Sequence, residues 1–224
     1  MILYAIPAPL GGSPAEALPE PALQRIREIK DFVVENAKSA RAFLGALGMP
    51  VRELSIKVIG EERDLLAPLR EKRSIGLLSE AGCPAIADPG AEIVEAAQRE
   101  GFRVVPLVGP SSILLALMAS GLEGQRFAFC GYLPRDASGR RKKIQALEQR
   151  SRREKETEIF IETPYRNDVL LAALLESCNP KTRLCIAADL TLPSESVFTK
   201  AVADWRRAKA TIGRRPAVFL LLSV

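Results

Sequence analysis

Residues 79 to 90 read Ser-Glu-Ala-Gly-Cys-Pro-Ala-Ile-Ala-Asp-Pro-Gly. Most connections between elements take roughly 2–6 residues. This one takes twelve. Its prolines stiffen it, and its small residues leave backbone N–H and C=O groups open to a ligand. A second turn, Val108-Gly109-Pro110-Ser111-Ser112, sets two hydroxyls where a helix begins, to cap it or to bond a ligand. A third cluster, Glu162-Thr163-Pro164-Tyr165-Arg166, gathers a carboxylate, a phenol and a guanidinium. That set suits a polar substrate and equally suits a local ion pair.

The chain contains no histidine. This excludes a Ser-His or Cys-His dyad, an HExxH zinc site and His-ligated haem. A general base would have to be a carboxylate, Lys, Tyr, Cys or water. The dinucleotide fingerprint GxGxxG and the phosphate loop GxxxxGK[ST] are also absent, against an NAD enzyme or an NTPase. The four cysteines, Cys83, Cys130, Cys178 and Cys185, form no CxxC pair. No metal site is expected from them, and free thiols in a reducing compartment are.

The elements that must position these loops alternate. Strands are expected at Ile2–Ile6, Phe32–Val34, Leu54–Ile59, Ile75–Leu78 and Arg103–Leu107. Helices fall between them: one capped by Asn36, one over Glu61–Arg70, and one with Ile93, Val94, Ala96 and Ala97 on one face. Such alternation predicts an α/β domain with a largely parallel sheet, whose ligands bind beyond the carboxyl ends of the strands. Three strand-end loops qualify: Pro7–Pro14, Ser79–Gly90 and Val108–Ser112. After about residue 122 helices become fewer per strand. Strands are expected at Phe127–Leu133, Glu158–Ile161, Leu184–Ala188, Val197–Ala201 and Ala217–Leu222, with helices near Asn167–Ser177 and Val202–Lys209. The reading is therefore two α/β domains, 1–122 and 123–224, the second mixed.

The chain carries 32 basic and 27 acidic residues, a formal charge of +5. A solvated surface accounts for that, and anionic ligands or RNA stay open. The densest basic stretch is Arg135–Lys155; it suits a solvated helix or the phosphates of RNA, and the scarcity of aromatics argues against a base-stacking platform. The N-terminus lacks the basic segment of a signal peptide. The longest apolar stretches, Ile113–Ala119 and Ala217–Leu222, fall far short of the ~20 residues of a membrane span. A cytoplasmic protein without membrane contact is expected.

In order along nearly the whole chain, these motifs resemble those of the tetrapyrrole (corrin/porphyrin) methylase family of S-adenosylmethionine-dependent methyltransferases. Within it they are most similar to the branch containing the 16S rRNA cytidine 2′-O-methyltransferase. Leu3–Gly11 resembles the opening strand and proline loop, Ser79–Gly90 the S-D-A-G-T-P-x-x-S-D-P-G loop, and Val108–Ser112 the P-G-P-S-A turn. Phe129–Pro134 resembles F-x-G-F-L-P, and Glu162–Arg166 resembles E-S-P-H-R. The resemblance implies a donor cleft between two α/β domains and a homodimer. It implies that S-adenosylmethionine is held by Pro7, Ala81, Gly82, Cys83, Ile86, Ser111 and Ser112, completed by Leu133, Ala188 and Leu190. Around the acceptor, Glu35, Glu162, Tyr165 and Arg166 are the candidate catalytic residues, with Asp189 a further possible base.

Four positions depart from the branch. Gly12 stands for an Asn, and Val34-Glu35-Asn36-Ala37-Lys38 for A-E-D-T-R. Glu80 stands for an Asp, and Tyr165 for the motif histidine. They fall mostly where the acceptor would sit, so the acceptor is left unassigned. Ribose 2′-O-methylation of ribosomal RNA, a tetrapyrrole-like small molecule, and a non-catalytic RNA- or nucleotide-binding role on the same scaffold remain the alternatives.

Overall fold

A computed structural model describes residues 1–223. The chain divides into two units, Met1–Ser111 and Ser112–Val224, so the helix beginning at Ser112 belongs with the second; the sequence places the change of character near 122.

The first unit runs β1 (Ile2–Ile6), α1 (Pro14–Ala17), α2 (Glu20–Arg27), β2 (Asp31–Val34), α3 (Ala37–Ala46), β3 (Ser55–Val58), α4 (Ala67–Arg70), β4 (Ile75–Leu78), α5 (Ala91–Arg99) and β5 (Arg103–Pro106). The strands form one parallel sheet in the order β3-β2-β4-β1-β5. β2 and β4 are buried along their whole length. That is the apolar pattern of a sheet covered on both faces. Gly76 is required in β4, because a Cβ there would stand 2.6 Å from Ile6 Cδ1 and 2.9 Å from the Phe32 ring. Asn36 caps α3, its Oδ1 accepting from the amide of Lys38 at 2.8 Å. The helix expected over Glu61–Arg70 is cut to α4. Pro68 lacks the N–H of a helix interior and is tolerated only in a first turn, so residues 61–66 turn instead, held where Arg70 meets Asp64 at 2.8 Å.

The second unit runs α6 (Ser112–Ser120), β6 (Phe127–Tyr132), α7 (Ala137–Glu154), β7 (Thr157–Ile161), α8 (Asn167–Ser177), β8 (Arg183–Ala188), β9 (Ser196–Ala201), α9 (Val202–Ala208) and β10 (Ala217–Leu222). Its sheet is mixed, in the order β6-β7-β10-β8-β9; only β6 and β7 are parallel. The core joins α7, α8 and α9 to this sheet through Ile144, Leu147, Leu170, Leu174, Trp205 and Phe219. The Phe160 and Phe219 rings stack at 5.9 Å, and Trp205 Nε1 donates to the Leu184 carbonyl at 2.8 Å. The register of β6 against β7 shifts between Phe129 and Tyr132, where Gly131 takes a φ of 64°. This bulge lies directly before the Leu133-Pro134 segment. Among the described residues no helix is long and apolar enough to cross a membrane.

Candidate functional site

In the first unit, β1 and β4 are neighbours whose onward connections leave in opposite directions, β1 toward β2 and β4 toward β5. Open α/β sheets hold ligands at such a switch point, beyond the strand ends. The loops after β1 and β4 are tied together there. The Ala8 amide donates to the Gly82 carbonyl at 2.8 Å, and the Gly82 amide returns a bond to Ala8 at 3.0 Å. Gly82's own polar atoms are therefore spent on this bridge. Its contribution is the left-handed turn, at φ 75°. Ser79 Oγ also donates to the Gly82 carbonyl, at 3.0 Å.

The Val108–Ser112 loop joins the same assembly. The Cys83 thiol lies 3.5 Å from the Pro110 carbonyl. Gly109 leaves no room for a Cβ, which would come within 2.4 Å of Pro7 Cβ. Thus Pro7, Gly82, Cys83 and the turn leading to Ser111 are brought together, with Ser112 starting the helix that follows. Between Gly82 and α5, Ala85 and Ala87 both take positive φ, 65° and 64°. For residues with a Cβ this costs about 1–2 kcal/mol each, and strain of this sort gathers at ligand clamps. Ala81 is exposed, and Ile86 and Val108 present apolar surface, 50% and 73% exposed. A concavity of about 290 Å³ lies between the Ala8–Pro14 loop, α3 and Ser79-Glu80.

The electrostatics of this end centre on Asp88. Partial burial, with the carboxylates of Glu35 and Glu80 nearby, raises its carboxyl from 3.8 to about 6. Glu80 is positioned by Ser39, whose hydroxyl donates to it at 2.9 Å. Burial, helped by Asp88, pushes the Cys83 thiol up. It therefore stays protonated and unreactive at neutral pH. Asp88 is the residue that sequence reasoning passed over. Its motif is plain, but the two carboxylates that perturb it lie far away in sequence or on another loop.

In the second unit, Glu162 is buried at the end of β7 and accepts from the Thr163 amide at 2.8 Å. Its other oxygen lies 3.4 Å from Arg166 Nη2, so these two form a largely buried ion pair. Arg166 Nη2 also lies 3.5 Å from the Arg135 carbonyl. Tyr165 points outward, 66% exposed. Leu133 and Ala188 are core residues, and Leu190 is buried nearby in the chain. Asp189 and Thr191 have positive φ, 54° and 71°. Asp189 accepts from Arg215 Nε at 2.6 Å, which holds its carboxyl below the usual range. A carboxylate so held is a weak base. Arg215 also reaches the Ser194 carbonyl and Ser196 Oγ, fixing the turn after β8; nothing in its local sequence marks it.

A parallel sheet with strained, cross-tied strand-end loops, followed by a mixed sheet with a second polar cluster, defines a two-unit α/β methylase. The profile of the Tetrapyrrole (Corrin/Porphyrin) Methylases matches residues 17–204, and the chain belongs to that family; it is a methyltransferase. It is 31% identical over 205 residues to the "Ribosomal RNA small subunit methyltransferase I" of Escherichia coli O157:H7, covering 90% of this chain and 70% of that one. It is 35% identical over 187 residues to the protein of the same name in Halalkalibacterium halodurans, covering 82% of this chain and 63% of that one. The crystal structure of the methyltransferase CobJ shares the fold, with a TM-score of 0.64 at 18% identity over 100% of this chain and 94% of that one.

Proposed function

We propose that the chain transfers a methyl group from S-adenosylmethionine to a ribose 2′-hydroxyl of ribosomal RNA. The observation that carries this reading is the 31% identity, over 90% of the chain, to an enzyme named for ribosomal RNA. The residues of the first unit suit the donor. Pro7, Ala81, Gly82, Cys83, Ile86, Ser111 and Ser112 form or adjoin loops that are held before any ligand arrives, with exposed apolar surface at Ile86 for a purine face. Leu133, Ala188 and Leu190 would complete the pocket through backbone groups, since their side chains are buried. Bound S-adenosylmethionine supplies an electrophilic methyl group and leaves as S-adenosylhomocysteine.

The chain's own part is alignment and proton removal. Alignment of the attacking oxygen supplies much of such catalysis. Glu162 and Arg166 hold the acceptor in this reading, with Tyr165 orienting it. The hydroxyl proton passes to a carboxylate at the Glu35–Asp88 end. A base titrating at about 6 is matched to work near neutrality. A protonated Cys83 would not compete for the methyl group.

Incubation with methyl-labelled S-adenosylmethionine and small ribosomal subunits tests this. Label should appear in an alkali-resistant dinucleotide of the RNA. Label confined to small molecules, or no calorimetric binding of the donor, would refute it. The same proposal makes the chain a homodimer. Met118, 79% exposed on α6, is apolar surface suited to a second copy, and light scattering after gel filtration reads the mass.

A further inference from the structure

The charge of the chain is unevenly placed. Helix α7 carries seven basic residues and two acidic ones. Among 32 basic and 27 acidic residues in all, this leaves 25 of each elsewhere. The excess of +5 therefore resides on one helix.

Two of the seven are structural. Arg140 is buried and donates to the Arg135 carbonyl at 2.8 Å. Arg150 grips the fully buried carboxylate of Glu158, with one bond at 2.7 Å, and also reaches Glu156. The other five, Arg141, Lys142, Lys143, Arg152 and Arg153, are exposed. Arg141 and Arg153 meet carboxylates only at the surface, where such pairs are weak and exchangeable. Lys142 and Lys143 have no ion-pair partner among the described residues.

At 1.5 Å per residue, Arg141 to Arg153 spans about 18 Å. Along the face opposite Ile144 and Leu147 lie Lys142, Gln145, Gln149 and Arg153, spaced three or four residues apart. No aromatic residue interrupts them. Arg152 and Arg153 border a depression of about 380 Å³ with Gln149 and Asn179. The helix is rigidly mounted, by its inward residues, by the Arg150 anchor, and by Asp136, which caps it by accepting from the Gly139 amide at 2.7 Å. That cap stands two residues beyond Pro134.

Splayed single strands are held by stacking on aromatic rings. A long, rigid, cationic face without rings instead matches the phosphates of a double helix, which is recognised by shape and backbone. We infer that the solvent face of α7 is the surface on which a double-helical segment of the substrate RNA docks by its phosphates. This rests on the RNA reading of the preceding subsection.

The test uses the full chain carrying Lys142→Gln, Lys143→Gln, Arg152→Gln and Arg153→Gln together. The control carries Lys30→Gln, Arg52→Gln, Arg63→Gln and Arg99→Gln, four exposed basic residues outside α7. The probe is a labelled 20-base-pair RNA duplex, followed by anisotropy across a salt series, with one of its strands alone as comparison. The α7 variant should lose on the order of tenfold or more in duplex affinity, and its salt slope should fall by roughly 3, near 0.9 per phosphate lost. The control should keep both, and calorimetry should give the α7 variant the wild-type donor affinity. An unchanged slope, an equal loss in the control, or a wild type that prefers the single strand would overturn the docking surface. Should wild type and α7 variant label ribosomal RNA with the same KM, the surface is wrong and the RNA reading stands. Should the wild type label only small molecules, both fall.

Discussion

Replacing Asp88 with Asn isolates the most perturbed carboxyl of the first unit. Its folded value of about 6, against 3.8 ordinarily, means that the folded state binds this proton more tightly than the unfolded chain does. Between about pH 4 and 6 the unfolded state is then the more deprotonated, so stability falls as pH rises through this window. Above it the full cost of burying the charge beside Glu35 and Glu80 is present. Each tenfold in proton affinity is about 1.36 kcal/mol, for a ceiling near 3 kcal/mol. Asp88 is only partly buried, and solvent screening reduces this to about 1 kcal/mol. Asn mimics the neutral acid. Asp88→Asn should therefore match wild type near pH 4 and be more stable by about 1 kcal/mol at pH 8 in urea unfolding. Glu80→Gln should lower the pKa of Asp88, read by carboxyl NMR. A gap of the same size at both pH values, or a variant less stable at pH 8, would refute the account. Under the base assignment, the same Asp88→Asn should also lower kcat.

Gly109→Ala drives a methyl into Pro7 and should weaken donor binding at least tenfold by calorimetry; Gly124→Ala, in open space, is the silent comparison. Arg150→Ala strands the buried Glu158 and should cost about 3 kcal/mol in chemical denaturation. Replacing both partners with apolar residues should recover much of that loss. Asn36→Ala removes the α3 cap and should cost about 1 kcal/mol by the same measurement. Ala85→Gly with Ala87→Gly relieves two left-handed alanines, and the unliganded protein should gain up to about 1 kcal/mol in the midpoint of unfolding.

The alternation of apolar runs with helical patterns was enough to read the strands of both sheets to within a residue or two. Each strand carries its own burial signal, as Ile75–Leu78 does. The helix over Glu61–Arg70 was misread because charge spacing resembled a helix face while Pro68 fixed where it could start. The loops were legible as unusual, but what holds them was not. The Ala8–Gly82 bonds use backbone atoms that every residue possesses, and the Gly109–Pro7 contact joins residues a hundred positions apart. The local ion pair at Glu162–Arg166 was one of two readings of a four-residue spacing, and it forms. The Arg215–Asp189 bond crosses twenty-six positions and left no local trace.

The Ala8–Gly82 bridge has a consequence for how such a protein can diverge. A clamp closed by main-chain atoms asks little of the side chains around it, beyond a left-handed turn at one position. Glu80 and Cys83 can then stand where relatives of similar design carry other groups, without the loops losing their course. Variation at the mouth is thereby uncoupled from upkeep of the scaffold beneath, so a lineage can exchange what it modifies while keeping the means of modification intact.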